Sequence, residues 1–151
     1  MKKRLATLHR TAACSAFLMI FTFFSSSLLV ELFGSEQDIF FVKTAISYAV
    51  WVLVPLMAVT GITGAKMAPN PRKGPLVNKK KRMPIVAANG LLILLPAAFY
   101  LQHLAALGQF DMIFYAVQGI ELVAGFINLT LMGLSIRDAR SLKRSSVRKA
   151  A

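Results

Sequence analysis

The sequence predicts an all-α, polytopic integral membrane protein: an antiparallel four-transmembrane-helix bundle with both termini in the cytoplasm. Three observations predict it. Of 151 residues, 56% are hydrophobic and 16% are charged, whereas charged residues make up about a quarter of an ordinary soluble domain. The apolar residues gather in four long runs. The eighteen Lys and Arg, set against six Asp and Glu for a net charge of +12, fall almost wholly outside those runs. A nucleic-acid binder is equally basic but rarely has a mean hydropathy of +0.61.

The runs are 12–33, 39–65, 84–107 and 112–136, each at or above the ~20 residues that cross a ~30 Å hydrocarbon core. None shows the charged face of a helix lying on a soluble domain. The first run follows Met1-Lys2-Lys3-Arg4, the opening of a secretory signal. Its apolar stretch is too long for one, no small-x-small cleavage site precedes Gly34-Ser35-Glu36, and Cys14 lies before the apolar core, unlike a lipoprotein cysteine. It reads as a retained first helix. The joints Gly34–Asp38 and Gly108–Asp111 are tight turns that impose antiparallel neighbours. The middle connection, 66–83, is longer and holds Pro69, Pro71, Gly74 and Pro75. The whole chain, 1–151, reads as a single membrane domain without an internal repeat.

Four spans put the N-terminus, the middle loop and the tail 137–151 on one side. Seventeen of the eighteen basic residues lie there, Lys43 being the exception. The positive-inside rule then assigns that side to the cytoplasm, and short loops with a Lys-rich bias suit a bacterial inner membrane. Lys79, Lys80, Lys81 and Arg82 read as a topology anchor touching anionic lipid headgroups. A nuclear-localisation or nucleic-acid role needs a soluble setting this loop lacks, so no nucleic-acid partner is expected. The stretch Gly61-Ile62-Thr63-Gly64-Ala65-Lys66 has neither the full spacing nor the preceding strand of a phosphate loop.

Polar groups inside hydrocarbon are costly and therefore informative. On the fourth helix Asp111, Phe114, Gln118, Glu121, Gly125, Asn128, Met132 and Ser135 step by three and four, the seam of a helix packed in a bundle. On the third, Asn89, Pro96 and His103 recur every seven residues. The first offers Thr11, Ser15, Thr22 and Ser25, and the second a mostly small face of Ser47, Trp51, Val54, Ala58, Gly61 and Ala65. Glu121 is the central candidate. It lies near the middle of its helix, where an ionised acid costs about 2.5–3.5 kcal/mol. Lys43 is read as too near the outer surface to reach it and better placed for Glu31 or Asp111. Uncompensated, Glu121 is expected in its protonated form, hydrogen-bonded among Gln118, Asn128 and Asn89. Pro55 and Pro96 should kink their helices and free carbonyls at a similar depth. Such an arrangement suits a proton or small-solute site, but equally serves as glue between helices.

Chemistry finds little support. His9 and His103 fall at opposite ends of the bundle and cannot clamp one haem. His103 is expected to be packed and hydrogen-bonded, and His9 interfacial. One cysteine and two histidines leave no metal site. Cys14 has His9 off its face, and Glu31, Glu36, Asp38 and Asp111 sit at the outer turns as solvated groups, so no catalytic set forms. Small multidrug pumps also have four helices and one membrane glutamate, but theirs is on the first helix and their charge bias is weak. The resulting expectation is a non-enzymatic, cofactor-free structural or accessory protein that forms homo-oligomers or joins a larger membrane complex. The alternative is a small proton-linked transporter or ligand-binding bundle centred on Glu121, with a haem-binding redox subunit third.

Overall fold

The computed structural model describes residues 2–67 and 75–150, with side-chain surroundings for 3–67 and 81–139. Within them the chain is helical and contains no strand. Its elements are α1 (Lys2–Phe33), α2 (Glu36–Met67), α3 (Pro75–Asn89), a π-helical turn (Gly90–Leu94), α4 (Leu95–Ala106) and α5 (Met112–Ala150). Four stretches are long and apolar enough to cross a membrane: Lys3–Phe33, Glu36–Met67, Lys81–Ala106 and Met112–Ala139. Helix extends past the apolar runs at several ends. The middle connection is already helical from Pro75, and α5 continues through the basic tail expected to be a separate segment. Lys and Arg are good helix formers, and their charge complements the partial negative charge at a helix C-terminus.

The two tight turns are built as their residues demand. Ser35 and Asp38 form a reciprocal cap: the Ser35 hydroxyl and amide donate to Asp38 Oδ2 at 2.7 and 2.9 Å, and the Asp38 amide donates to Ser35 Oγ at 3.3 Å. Asp111 Oδ1 accepts from the amides of Ile113 and Phe114, both at 3.0 Å, and starts α5. Helix α4 stops at Gly108, whose φ of +67° is left-handed. The Gln109 amide donates to the Leu104 carbonyl and the Gly108 amide to that of Ala105, the bond pair that closes a helix on a glycine.

Helix α1 packs on α2 and α5, and α4 packs on the same two, so the spans form a ring in which α2 and α5 are diagonal. The core at the turn end is Ile39, Leu101, Leu104, Ala105 and Phe114, and a second cluster joins Ile46, Val50 and Ala98. Outward surfaces are strongly apolar, with Phe41, Trp51 and Leu92 each at least 70% exposed. Exposed apolar residues on this scale exceed what a soluble monomer ordinarily shows.

The middle of the predicted α5 seam is buried, at Phe114, Gln118, Glu121, Gly125 and Asn128, whereas Met132 and Ser135 are half-buried and Asp111, capping the helix, is exposed. The faces of the other helices differ from expectation. On α1 the buried stripe is His9, Ala12, Ala16, Ile20 and Ser27, while Thr11, Ser15 and Thr22 face outward. Thr11 and Thr22 donate to the carbonyls of Leu8 and Leu18 in their own helix, so their hydroxyls need no neighbour. On α2 the buried residues are Ile39, Lys43, Ile46, Ser47, Val50 and Thr63, and Trp51 points outward. Pro55 sits inside an unbroken α2.

The third span owes its register to the π turn. The Leu95 amide bonds to the Gly90 carbonyl five residues back, and Pro96, which has no amide proton, follows in the first turn of α4, where that proton is not needed. One extra residue rotates everything beyond it by about 100°. The inward face therefore runs from Val86 and Asn89 to Ala97, Leu101 and Leu104, a step of eight where a regular helix keeps a face with seven. Pro96 and His103 are turned outward and exposed. This corrects the expectation that Asn89, Pro96 and His103 share one face.

Gly108→Ala forces a side chain into left-handed backbone and should cost about 1 kcal/mol. Thermal unfolding in mild detergent measures it, with Gly61→Ala as a control, since a β-carbon at Gly61 meets no atom within 4 Å.

Candidate functional site: a buried ion pair beside an apolar cavity

Counted from the turn end, Ser27 lies six residues before the end of α1, Lys43 seven after the start of α2 and Glu121 nine after the start of α5. At 1.5 Å per residue the three share a layer roughly 9–14 Å deep. Lys43 reaches across the bundle between helices whose backbones do not meet. Its Nζ donates to Glu121 Oε2 at 2.5 Å and to Ser27 Oγ at 2.7 Å, and Ser27 Oγ lies 3.4 Å from the same Glu121 oxygen. The Lys43 side chain is 0% exposed and that of Glu121 11%.

Glu121 is therefore not the uncompensated acid the sequence suggests, and Lys43 is not a surface cation. The ends of the apolar runs give a misleading depth, because the helices begin at the turns. Measured from Glu36 and Met112, the lysine and the acid stand nearly level. Two unlike charges out of water are tolerable only when paired closely with their remaining valences met. Ser27 supplies the third contact.

Glu31 extends this cluster. It lies one helical turn beyond Ser27, close enough to be coupled electrostatically to both Lys43 and Glu121. Its Oε1 is buried without a hydrogen-bond partner, so it is not the solvated outer-turn acid expected. Glu31 makes no ion pair with Lys43, whose ammonium is engaged by Glu121 and Ser27. Gln118, 3% exposed and one turn from Glu121, has both amide atoms buried and unpartnered, as is Thr44 Oγ1. Such orphans are uncommon in folded proteins and costly.

Asn89 and Asn128 form a separate knot. Asn89 Nδ2 donates to Asn128 Oδ1 at 2.9 Å and to the Ala124 carbonyl at 2.8 Å, and Asn128 Nδ2 donates to the Val86 carbonyl at 3.4 Å. Of the five candidate ligand or proton residues, Glu121 and Asn128 border one cavity, Asn89 braces Asn128, and Gln118 lies buried beside Glu121 on the α5 seam. His103 is exposed and takes no part, the consequence of the π turn.

At the other, basic end, His9 is buried. Its Nδ1 lies 3.0 Å from Thr63 Oγ1 and 3.1 Å from the Thr60 carbonyl. A β-carbon on Gly64 would meet Met83 Cε at 2.8 Å and His9 Cε1 at 3.2 Å, so side chains of α1 and α3 sit close against α2 at this glycine. Arg82 donates to Asp138 Oδ2 at 2.8 Å and ties α3 to α5. Of the basic run assigned to headgroups, Lys81 is exposed, Arg82 is engaged with Asp138, and the side chains of Lys79 and Lys80 lie outside the described residues. His9 and His103 stand at opposite ends of the bundle and are not brought together. Cys14 is exposed. Among the described residues no three of His, Cys, Asp and Glu converge as metal ligands would.

Between the helices lies a partly open cavity of about 390 Å³. Its walls are Ile20, Phe23, Phe24 and Ser27 of α1, a stripe of α2 from Ile46 to Ile62, the third span from Ala87 to Ala98, and Glu121, Leu122, Gly125 and Asn128 of α5. It exists because α2 packs well on α4 but hardly on α3, and because Ala58, Gly61, Ala87 and Gly90 leave the gap unfilled. Ala58, Ile62 and Leu91 line it and are also exposed, so the gap opens outward between α2 and the third span. Of the small-residue face of α2, Val54, Ala58 and Gly61 border open space where close helix packing was expected.

Comparison with protein families, curated sequences and solved structures finds no match to this chain.

Lys43→Met leaves Glu121 buried without its cation and should destabilise the bundle by about 3–5 kcal/mol. The double variant Lys43→Met/Glu121→Leu should recover most of that loss. A double-mutant cycle from unfolding in mild detergent reads the coupling; additive losses would show that the pair contributes nothing jointly.

Proposed function

We propose that this chain is a non-enzymatic integral membrane protein that binds a small, apolar, membrane-borne molecule in the cavity beside Glu121. The supporting observation is the cavity. Its volume is within the range of small-molecule pockets, and it combines apolar walls with a few placed polar groups, as such pockets do. An accessory role alone asks only for a dry, filled interior. Here small residues keep a space open next to a buried ion pair, and the space reaches the outer surface at Ala58, Ile62 and Leu91.

In this reading the four spans cross a bacterial inner membrane with both termini cytoplasmic. The charge distribution supports that sidedness, since seventeen of eighteen basic residues lie at the end holding both termini. Lys43, the exception, is consumed by Glu121. The opening between α2 and the third span then faces lipid, which gives a lipid-dissolved molecule direct access. Basic residues such as Lys81 meet anionic headgroups at the cytoplasmic surface.

Reporter fusions check the topology. A phosphatase active only outside the cytoplasm should be active when inserted at Ser35 and inactive at the C-terminus. A fluorescent protein that matures only in the cytoplasm should give the reverse. Cavity filling checks the binding: apolar probes such as hexylbenzene should raise the thermal midpoint of the purified wild type. Gly61→Leu, which adds bulk where a β-carbon meets nothing, should abolish that rise while leaving the unliganded midpoint unchanged or higher. An equal rise in both proteins would overturn the reading.

A further inference from the structure

The polar groups on the cavity wall have unequal capacity left. Ser27 is spent, its hydroxyl accepting from Lys43 and facing Glu121 Oε2. Asn128 is largely engaged, its oxygen accepting from Asn89 and one Nδ2 hydrogen donating to the Val86 carbonyl, which leaves its second Nδ2 hydrogen. Glu121 differs. Its Oε2 holds Lys43 and Ser27, while its Oε1 has no partner and is not among the buried unsatisfied atoms of the described residues. A charged carboxylate oxygen with spare lone pairs is therefore the strongest hydrogen-bonding group left on the cavity wall.

Charge narrows the occupant further. The Lys43 ammonium sits behind the carboxylate, 2.5 Å from its other oxygen. A cationic ligand would bring a second positive charge against that ammonium in low dielectric, and an anionic one would meet the carboxylate first. A neutral hydrogen-bond donor suffers neither penalty, and its bond to a charged acceptor is of the stronger kind. The rest of the wall is apolar. On α2 it extends from Ile46, near Glu121, to Ile62, roughly 24 Å along the helix, so the space is elongated with its polar group toward one end.

Resting on the reading of this chain as a ligand-binding bundle, we infer that its ligand is a neutral amphiphile with one elongated apolar part and a hydroxyl or N–H headgroup, the headgroup donating to Glu121 Oε1. The apolar part runs along α2 toward the opening at Ala58 and Ile62. The headgroup completes the set of contacts that Lys43 and Ser27 begin, so the ion pair serves as the recognition element.

The test compares three probes that differ at the head: 4-hexylphenol, its methyl ether, and 4-hexylbenzylamine, which is cationic at neutral pH. Binding to the purified protein in lipid nanodiscs is measured by calorimetry, with each constant corrected for the probe's partition into protein-free nanodiscs. The phenol should bind the wild type about tenfold or more tighter than the ether, the worth of one charge-assisted hydrogen bond, and tighter than the amine. In Lys43→Met/Glu121→Leu, which keeps an apolar interior, phenol and ether should bind alike. Gly61→Leu should block both. Equal binding of phenol and ether to the wild type, still blocked by Gly61→Leu, would overturn this headgroup assignment and leave the ligand-binding reading standing. Tightest binding of the amine would overturn it too. Failure of every probe to bind the wild type would remove the ligand-binding reading itself.

Discussion

Two charges that leave water together must stay together, and that constraint organises this bundle. Lys43 and Glu121 stand on diagonal helices whose backbones do not touch. Either side chain alone would be an uncompensated ion in an apolar interior. Paired, they connect α2 to α5 across the middle, and Ser27 brings α1 into the same contact. A long side chain laid across a diagonal is also a spacer. From there toward the basic end the helices enclose a cavity, and its wall includes small residues, Gly125 about one turn from Glu121 and Gly90, Ala58 and Gly61 farther along. The polar anchor and the adjacent void arise from one arrangement.

Polar contacts are distributed in layers along the bundle, and each layer joins different helices. The caps of Ser35, Asp38 and Asp111 settle the turns. The ion pair links α1, α2 and α5. Lower down, Asn89 and Asn128 lock α3 to α5, and near the basic end His9 meets α2 while Arg82 meets Asp138. Between apolar helices such bonds add specificity that apolar packing lacks, because each fixes a register as well as a contact. The layering leaves α2 against α3 with no polar tie among the described residues, and that is the side where the cavity opens.

The helices themselves were legible from apolar runs, because length and hydropathy are local properties. The α5 seam was legible too, since Phe114, Gln118, Glu121, Gly125 and Asn128 repeat with a helix's own period. The third span was not. A heptad count assumes one unbroken helix, and the π turn at Gly90–Leu94 adds a residue, so His103 moves from an expected inward position to the outer surface. The hydroxyls of α1 misled for another reason: Thr11 and Thr22 satisfy themselves on their own backbone, and a polar residue in an apolar run need not face a neighbour. Ser27, which does face one, sits in a run of three serines whose order along the helix gives no sign of which is inward.

The amino-acid sequence by itself determined that this chain forms four long apolar helices joined by two tight turns, and that its basic residues gather at one end. Those outcomes follow from hydrophobicity, turn chemistry and charge, each of which acts over a few residues. Only the tertiary structure decided what Glu121 is: one half of an ion pair with Lys43, seventy-eight residues away, beside a cavity that opens between α2 and the third span. Pairing across a diagonal depends on the relative rotation and depth of separate helices. Those are set by how side chains pack between helices, and no spacing along a single helix encodes them.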